Sequence, residues 1–338
     1  MATTQQRRPA PRRQPPPRRR SSAHGTAGRL VGVAAVVAVL AGGAWVAVTE
    51  VAPSSSVVVV ERCTATGDGG GGTGYDLAPD QAGNAALITA ITQQRGMPAR
   101  AATIALATAV QESKLRNIAY GDRDSLGLFQ QRPSQGWGTE AEIQDPVYST
   151  NAFLDVLARV DGYADQPITV VAQRVQRSGF PDAYADHEPE GRAYASALTG
   201  YSEAALTCRL RPVADTSAQA AGESGYWPRA QPVVEAFGRE RGTSVPVAPA
   251  DEGAGVLVGS PVAAGATASE EQQRVGWSAA QWAVAHAADL QVVAVGTDGL
   301  QWRRDRPDEG WVAVPEEDAA RLAPAGAAVV LVGGGREE

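Results

Sequence analysis

Residues 101–110 read AATIALATAV, a run in which only Thr103 and Thr108 are polar. A helix that is apolar around its whole circumference is buried on most sides, so the run predicts a central helix. Gly96 and Pro98 separate it from an earlier helix over 81–95, where apolar residues recur at helical spacing. We therefore predict a helix over 98–115 that is buried on most sides and carries Glu112 in its last turn.

Helical periodicity continues on the C-terminal side of this run. Apolar positions predict further helices over 146–160, 169–177 and 194–198. An ordered loop over 117–137 separates them from the central helix. Residues 80–210 are therefore predicted to form a mainly α domain, of the size expected for one hydrophobic core.

The last third of the chain changes composition twice. Residues 211–270 are rich in Ala, Pro and Gly and predict a linker, with one short helix around 233–237. Residues 271–338 predict a small α+β module made of a helix, two strands around an Asp-Gly turn and a strand over 327–332. Trp277 and Trp282 have helical spacing, which favours a packed core. The alternative is that aromatic faces of this module bind a glycan or a protein partner.

The N-terminal segment predicts where the protein is located. Residues 1–29 contain eight Arg and no acidic residue, which indicates a disordered basic arm. The 20 uncharged residues over 30–49 are long enough to cross a bilayer. The positive-inside rule then places the N-terminus in the cytoplasm and the bulk of the chain outside, beyond a flexible extracellular tether over 50–79. A cleaved signal peptide is the alternative to this single-pass membrane anchor.

Charge and composition argue against several functions. The chain of 338 residues has 30 basic and 37 acidic side chains, and its charge of −7 becomes −15 once the arm is set aside. This acidic balance argues against nucleic acid as a partner. Three His and two Cys without CxxC or HExxH spacing argue against a zinc enzyme, so neither a metal nor a cofactor is expected.

Cys63 and Cys208 are the only cysteines in the chain. Outside the cell an isolated pair of cysteines is most simply one disulfide, and we predict that it closes the helical domain. Two unrelated thiols are the alternative.

Glu112 is the strongest candidate for chemistry. It ends an apolar helix, where partial desolvation favours the neutral carboxylic acid, and the helix macrodipole also disfavours negative charge at this end. Both effects raise its pKa, as cleavage of a glycosidic bond by a general acid requires. The alternative is a solvated last-turn residue that is balanced by Lys114 or Arg116.

Two short motifs carry a resemblance to a known family. Gln111-Glu112-Ser113, followed at a distance of fifteen residues from the Glu by Gly127-Leu128-Phe129-Gln130-Gln131, resembles the Glu-Ser and Gly-Leu-Met-Gln motifs of soluble lytic transglycosylases. These enzymes belong to the lysozyme-like superfamily of α+β folds. The string over 120–133 also resembles a group of membrane-attached lysozyme-like proteins from actinobacteria. The resemblance covers residues 80–208 and implies a lysozyme-like helical domain.

The resemblance implies roles for individual residues. Glu112 would protonate the oxygen between N-acetylmuramic acid and N-acetylglucosamine and then act as a base on the muramic C6 hydroxyl, which leaves a 1,6-anhydro end. Ser113 would hydrogen bond near Glu112 or the substrate. Gly127 would let the chain pass close to the sugar, and Gln130 would line the cleft. Gln131 is a further polar group on this loop for substrate binding.

The sequence departs from the family in one motif. The Ala-Tyr-Asn-Ala-Gly helix start, whose Tyr and Asn hold the catalytic Glu, is missing, and Gln176 and Tyr184 are the candidates to replace that pair. Asp122 and Asp124 are alternatives for a second carboxylate, which would favour hydrolysis by a muramidase. We regard a turn with local ion pairs as the simpler interpretation of these two residues.

These observations predict a membrane-anchored enzyme that cleaves peptidoglycan glycan strands without a metal. It would contact membrane lipid through residues 30–49. The first alternative is a non-catalytic lysozyme-like protein that binds wall glycan or serves as a scaffold. In the second, the C-terminal module binds a protein partner and the helical domain is its passenger.

Overall fold

The computed structural model describes residues 59–67, 73–177, 182–263 and 266–333. The predicted basic arm over 1–29 and the predicted span over 30–49 lie outside these ranges, as does part of the predicted tether over 50–79. In the described ranges, no helix has the length and apolar character needed to cross a membrane. All described residues belong to one compact unit.

A small sheet and six helices form the N-terminal part of this unit. The strands of the sheet are antiparallel and have the order β2-β1-β3. In chain order the elements are β1 (Arg62–Thr66), β2 (Gly74–Leu77), α1 (Pro79–Gln94), α2 (Ala99–Ser113), α3 (Glu140–Gln144), α4 (Pro146–Leu157), α5 (Ile168–Gln176), α6 (Glu188–Leu198) and β3 (Leu206–Arg209).

The C-terminal part is built on a second antiparallel sheet, with six described strands in the order β4-β5-β9-β6-β7-β8. Its elements are α7 (Gln231–Arg241), β4 (Val247–Ala250), β5 (Gly255–Gly259), α8 (Glu270–Ala285), β6 (Ala294–Thr297), β7 (Leu300–Arg303), β8 (Trp311–Ala313), α9 (Glu316–Leu322) and β9 (Ala327–Leu331). The described fold is thus mixed α+β, with more sheet than the sequence pattern predicts.

Helix α2 is the centre of the helical layer, and every residue over 101–110 is buried. It packs against α1, α4, α5 and α6. Its closest neighbour is α6, where Gly191 faces Thr103 and Ala107; a Cβ at position 191 would stand 2.9 Å from the Ala107 backbone nitrogen. The absence of a side chain at this glycine lets the two helices approach so closely.

Helix α8 joins the helical layer to the large sheet, since it packs on α1 and α6 and also on β5, β6 and β9. Gln281 in its middle is fully buried. The Gln281 amide donates to the carbonyls of Ala197 (2.7 Å) and Ser202 (2.9 Å) and accepts from the Leu206 N–H at 2.8 Å. All three bonds hold the end of α6 and the start of β3 onto α8.

The structure differs from the sequence-based prediction of a linker over 211–270. This stretch contains α7 and strands β4 and β5, and β5 pairs with β9, whose residues lie far later in the chain: Gly255 pairs with Leu331 and Gly259 with Ala327. Val256 and Val258 of β5 are fully buried. In the sequence these two valines are surrounded by Ala, Gly and Pro, so the composition of the segment does not indicate a core strand. The segment becomes part of the core because it pairs with the distant strand β9. Strands β1 and β2 likewise form within the segment predicted to be a tether.

The tryptophans of the C-terminal segment are structural. Trp277, Trp282 and Trp302 are each buried. The Trp302 indole donates to the Cys208 carbonyl at 3.1 Å, and the Trp311 indole donates to the Leu206 carbonyl at 2.9 Å. Both bonds end on β3 of the small sheet. The alternative in which exposed aromatic faces bind a ligand is therefore not available to these three buried residues.

The predicted disulfide is confirmed. Cys63 and Cys208 lie opposite each other in β1 and β3 and are covalently bonded across 145 positions of sequence. Both cysteines are buried. The bond closes the chain around the helical layer at the point where this layer meets the C-terminal segment.

The disulfide is expected to contribute about 2–5 kcal/mol to the free energy of unfolding, because it restricts a long loop of the unfolded chain. Urea unfolding of the full chain in detergent should show this loss in a Cys63→Ala, Cys208→Ala double variant. Reductant should destabilise the parent protein and leave the double variant unchanged. Free Cys63 and Cys208 thiols in the exported protein would contradict the pairing.

The close approach of α2 and α6 gives a second stability prediction. Gly191→Ala should lower the free energy of unfolding by about 1–3 kcal/mol, because a methyl group there overlaps the α2 backbone. Gly238 in α7 is the matched control, since a Cβ there meets no atom within 4 Å. Gly238→Ala should raise the same quantity by up to about 1 kcal/mol through helix propensity. Equal effects of the two substitutions would contradict the packing argument.

Candidate functional site

Glu112 is the penultimate residue of α2 and lies beyond its buried stretch. The helix ends at Ser113, and the next residue, Lys114, adopts the left-handed conformation with φ of 56°. The Glu112 side chain is half-buried. Its carboxyl group therefore lies at the negative end of the helix macrodipole and at the boundary between core and solvent.

Two neutral donors hold the Glu112 carboxyl group. The Tyr184 hydroxyl donates to Oε1 at 2.7 Å, and the side-chain amide of Gln176 forms a further hydrogen bond. Among the described residues, no cation forms a salt bridge with Glu112. Arg116, one of the two expected balancing charges, pairs with Asp80 instead. The carboxyl group thus has hydrogen-bond partners but no described counter-ion.

Burial raises the pKa of Glu112 above its ordinary value. The hydrogen bonds from Tyr184 and Gln176 act in the opposite direction because they stabilise the carboxylate, but desolvation is the larger effect. Glu112 therefore retains its proton to higher pH than a solvated glutamate would.

Tyr184 and Gln176 reach Glu112 from different elements. Gln176 is the last residue of α5, and its amide also donates to the Phe129 carbonyl at 2.7 Å. Tyr184 precedes a short 3-10 turn over 185–187 and is only 1% exposed. The structure thus brings together Glu112 and the two residues that the sequence offers in place of the missing Tyr-Asn pair. Residues 178–181 between them lie outside the described ranges.

The loop after α2 is fixed against the end of that helix. The Ser113 hydroxyl donates to the Leu128 carbonyl at 2.7 Å, and the backbones of Leu126 and Gln131 pair as a β-bridge. Phe129 stacks on Phe153 with 4.5 Å between ring centroids. These contacts place the Phe129 carbonyl where the Gln176 amide can reach both it and Glu112.

Three of the predicted site residues, Ser113, Gln131 and Gly127, pack against neighbouring parts of the protein. Ser113 is buried against the loop backbone. Gln131 is 1% exposed, and its amide donates to the Ser149 carbonyl at 3.0 Å. Gly127 has φ of 75°, and a Cβ there would stand 2.7 Å from the Ile143 carbonyl oxygen. The close approach of α3 therefore requires a residue without a side chain at this position. The sequence-based prediction instead explained Gly127 by the close approach of a sugar.

Gln130 remains at the protein surface. It is half-buried, and its amide donates to the Tyr120 carbonyl at 3.3 Å. Its backbone adopts the left-handed conformation with φ of 47°. Within the Gly-Leu-Phe-Gln-Gln stretch, Gln130 is thus the one residue that is not fully buried, so its side chain stays accessible to a ligand.

Asp124 organises the loop. Its carboxylate accepts hydrogen bonds from the Ser134 N–H (2.8 Å), the Ser134 hydroxyl (3.0 Å) and the Arg132 Nε at 2.9 Å. These donors hold the pKa of Asp124 well below its ordinary value. Asp122 is largely exposed and lies 3.9 Å from Arg123. The pattern is that of a turn with local ion pairs.

His187 is a residue near the site that the sequence analysis does not single out. Its Nε2 lies 2.8 Å from the Gln111 side-chain oxygen, and its Nδ1 lies 2.6 Å from Glu190. The imidazole therefore links the turn next to Tyr184 to the residue before Glu112. The spacing of His187 and Glu190 by three positions is the only sign of this contact in the sequence.

A cavity with a volume of about 930 Å³ lies between the N-terminal half of α2, α6 and Tyr75. Its lining reaches Ala185, the neighbour of Tyr184, but does not include Glu112. A ligand that filled this cavity would therefore contact the segment that carries Tyr184. In the described ranges, no group of three or more His, Cys, Asp or Glu residues is arranged to hold a metal ion.

Comparisons with known proteins identify no relative from which the role of these residues could be inferred. No protein-family model matches the chain, and no curated protein matches it at a significant level of similarity.

Proposed function

We propose that this protein cleaves the glycan strands of peptidoglycan, with Glu112 as a single general acid and base. The observation that carries the proposal is the environment of the Glu112 carboxyl group. It is desolvated, has no described cationic partner and is held by the neutral donors Tyr184 and Gln176. The resemblance of the two motifs at 111–113 and 127–131 to lytic transglycosylases supports the choice of substrate.

In the first step, protonated Glu112 donates its proton to the oxygen that bridges N-acetylmuramic acid and N-acetylglucosamine. The bond from this oxygen to C1 of the muramic sugar breaks, and Glu112 becomes a carboxylate. Burial favours the acid before this step, while the hydrogen bonds from Tyr184 and Gln176 favour the carboxylate after it. Burial and the hydrogen bonds thus act on the two protonation states of Glu112 in opposite directions, which suits a group that acts as both acid and base.

In the second step, the Glu112 carboxylate removes the proton of the muramic C6 hydroxyl. The C6 oxygen then bonds to C1 and gives a 1,6-anhydro end, and Glu112 regains its proton. Hydrolytic glycosidases use a second carboxylate, either to activate water or to attack C1. Two carboxylates, Asp122 and Asp124, lie on the loop between α2 and α3. Asp122 is largely exposed beside Arg123, and the oxygens of Asp124 already accept three hydrogen bonds within the loop. This occupancy favours the anhydro product over hydrolysis.

The proposal includes a location for the reaction. A single span over 30–49, with the basic arm in the cytoplasm, would hold the folded unit on the outer face of the membrane and contact lipid. The negative charge of the chain beyond the arm does not attract an anionic wall polymer. The anchor would instead provide a high local concentration of enzyme next to its substrate.

Glu112→Gln is the direct test of the acid. The full chain in detergent micelles is incubated with purified peptidoglycan, and the released muropeptides are identified by mass spectrometry. The substitution should lower the rate of release by about 10²–10⁴-fold, which is the usual contribution of a general acid. Glu203→Gln, at an exposed position, should leave the rate unchanged.

The products of the same assay separate the alternatives. Anhydro-muramic ends that depend on Glu112 support the proposal, whereas new reducing ends indicate a hydrolase. Binding of peptidoglycan without any release by the parent protein would overturn the enzymatic proposal in favour of a glycan-binding or scaffold protein.

The pH dependence of the rate tests the role of Tyr184. Activity should fall as the pH rises through the raised pKa of Glu112, because the acid loses its proton. Tyr184→Phe removes a hydrogen bond that stabilises the carboxylate, so it should raise this pKa further and move the alkaline limb of the pH–rate profile to higher pH. Tyr226→Phe, a substitution of a tyrosine in the C-terminal part, should not move the limb. A limb that stays in place or moves to lower pH in Tyr184→Phe would contradict the assignment.

A further inference from the structure

A second cavity, of about 330 Å³, lies at the opposite end of α2 from Glu112. It forms where the start of α2 meets the end of α7 and the first turns of α8. Its lining includes residues 97–99 from the start of α2, Arg241 from α7 and Arg274 from α8. The helical layer and the C-terminal segment thus both contribute to its walls.

Arg241 is the unusual residue of this cavity. Its side chain lines the cavity, yet the residue is only 7% exposed. Within the described ranges, Arg241 forms neither a salt bridge nor a side-chain hydrogen bond. Arg304, which is buried to the same extent, donates to the carbonyls of Arg211 and Ala287. Arg304 thus has hydrogen-bond acceptors for its buried guanidinium group. Arg241 has no described acceptor, and its side chain borders the cavity.

The environment of Arg241 is unfavourable to its charge. Burial lowers its pKa to about 10, and no neighbouring carboxylate offsets this effect. A guanidinium with this pKa is still protonated at neutral pH, so it cannot avoid the desolvation penalty by losing its proton. A buried charge without a partner is strongly destabilising, and a bound anion would remove that penalty.

The start of α2 brings a second positive electrostatic feature to the cavity. Pro98 precedes the helix in an extended conformation and provides no side-chain cap, and the first turn contains no acidic residue. The Ala101 N–H donates to the Pro98 carbonyl at 2.8 Å, whereas the N–H groups of Ala99 and Arg100 precede the first bond of the helix. Together these first N–H groups form the positive end of the helix macrodipole. Residues 98 and 99 line the cavity, so this end of α2 borders the same space as the Arg241 guanidinium.

The other charges of the cavity are already balanced. Arg274 pairs with Glu271 and lies over the Tyr201 ring, with its guanidinium carbon 4.9 Å from the ring centroid. The side chain of Glu271 is mostly exposed and lies at the rim. Of the two arginines that line this cavity, Arg274 thus has a carboxylate partner and Arg241 has no described partner.

We propose that this cavity binds an oxyanion, a carboxylate or phosphate group, between the Arg241 guanidinium and the N-terminal N–H groups of α2. Such groups match the paired N–H donors of a guanidinium and the N-terminus of a helix. The Gln94 side chain, which packs against Gly242, provides a further polar wall. The volume admits a small molecule or the end group of a larger one.

The site is independent of the proposed catalytic site. Ala99 and Glu112 are thirteen positions apart on α2, which corresponds to about 20 Å along the helix. Loss of activity and loss of anion binding can therefore be produced separately. Because the anion would contact both the helical layer and α7, its binding should stabilise the whole described unit.

Thermal unfolding of the full chain in detergent tests this proposal. Sodium phosphate and sodium acetate are titrated separately at constant ionic strength, with sodium chloride as the balancing salt. For the parent protein, the Tm should rise by about 3 °C for each tenfold increase of the bound anion above its Kd. Arg241→Met should abolish this rise. Arg239→Met, at an exposed neighbouring position, should retain it.

The outcomes are distinct. A rise with phosphate alone assigns the site to a phosphate group, and a rise with acetate alone assigns it to a carboxylate. The proposal would be overturned if neither phosphate nor acetate raised the Tm of the parent protein. It would also be overturned if Arg241→Met and the parent protein showed an equal rise in Tm. If Arg241→Met does not fold, Gln94→Ala should raise the Kd several-fold, and an unchanged Kd would count against the site. Glu112→Gln should keep the full response, whatever its activity.

Discussion

The burial of α2 on all sides is the constraint on which the rest of the structure depends. A helix of Ala, Thr, Ile, Leu and Val can be enclosed in this way only where its neighbours approach closely, and Gly191 allows α6 to do so. Because residues 101–110 are buried, polar groups next to α2 lie at its two ends. Glu112 lies at one end, and the cavity lined by Arg241 lies at the other.

Each end of α2 places a charge next to helix partial charges of the same sign. Glu112 lies at the negative C-terminus and Arg241 near the positive N-terminus, and both side chains are also desolvated. The two groups differ in how they can respond. A carboxylate can bind a proton, and burial favours the protonated form of Glu112, whereas a guanidinium stays charged and requires an anion. One helix thus gives rise to two different sites through the same electrostatic effect.

The C-terminal segment completes the fold instead of forming an appendage to it. The buried amide of Gln281 bonds to the end of α6 and to β3, and the indoles of Trp302 and Trp311 also bond to β3. Strand β3 carries Cys208 of the disulfide. The strand that closes the helical layer is therefore held by the disulfide on one side and by α8 and the tryptophans on the other.

The sequence by itself determined the central helix, its stop and the neighbouring helices, because apolar periodicity and Gly and Pro positions act over a few residues. It also determined the disulfide, since only two cysteines exist, and it singled out Glu112 as a carboxylate at the end of an apolar helix. Only the tertiary structure decided that Tyr184 and Gln176 hold that carboxylate, that Gln131 is buried, that β5 belongs to a sheet with β9 and that Arg241 has no described partner. These features join segments that are tens of residues apart, and local composition contains no information about which distant groups will meet.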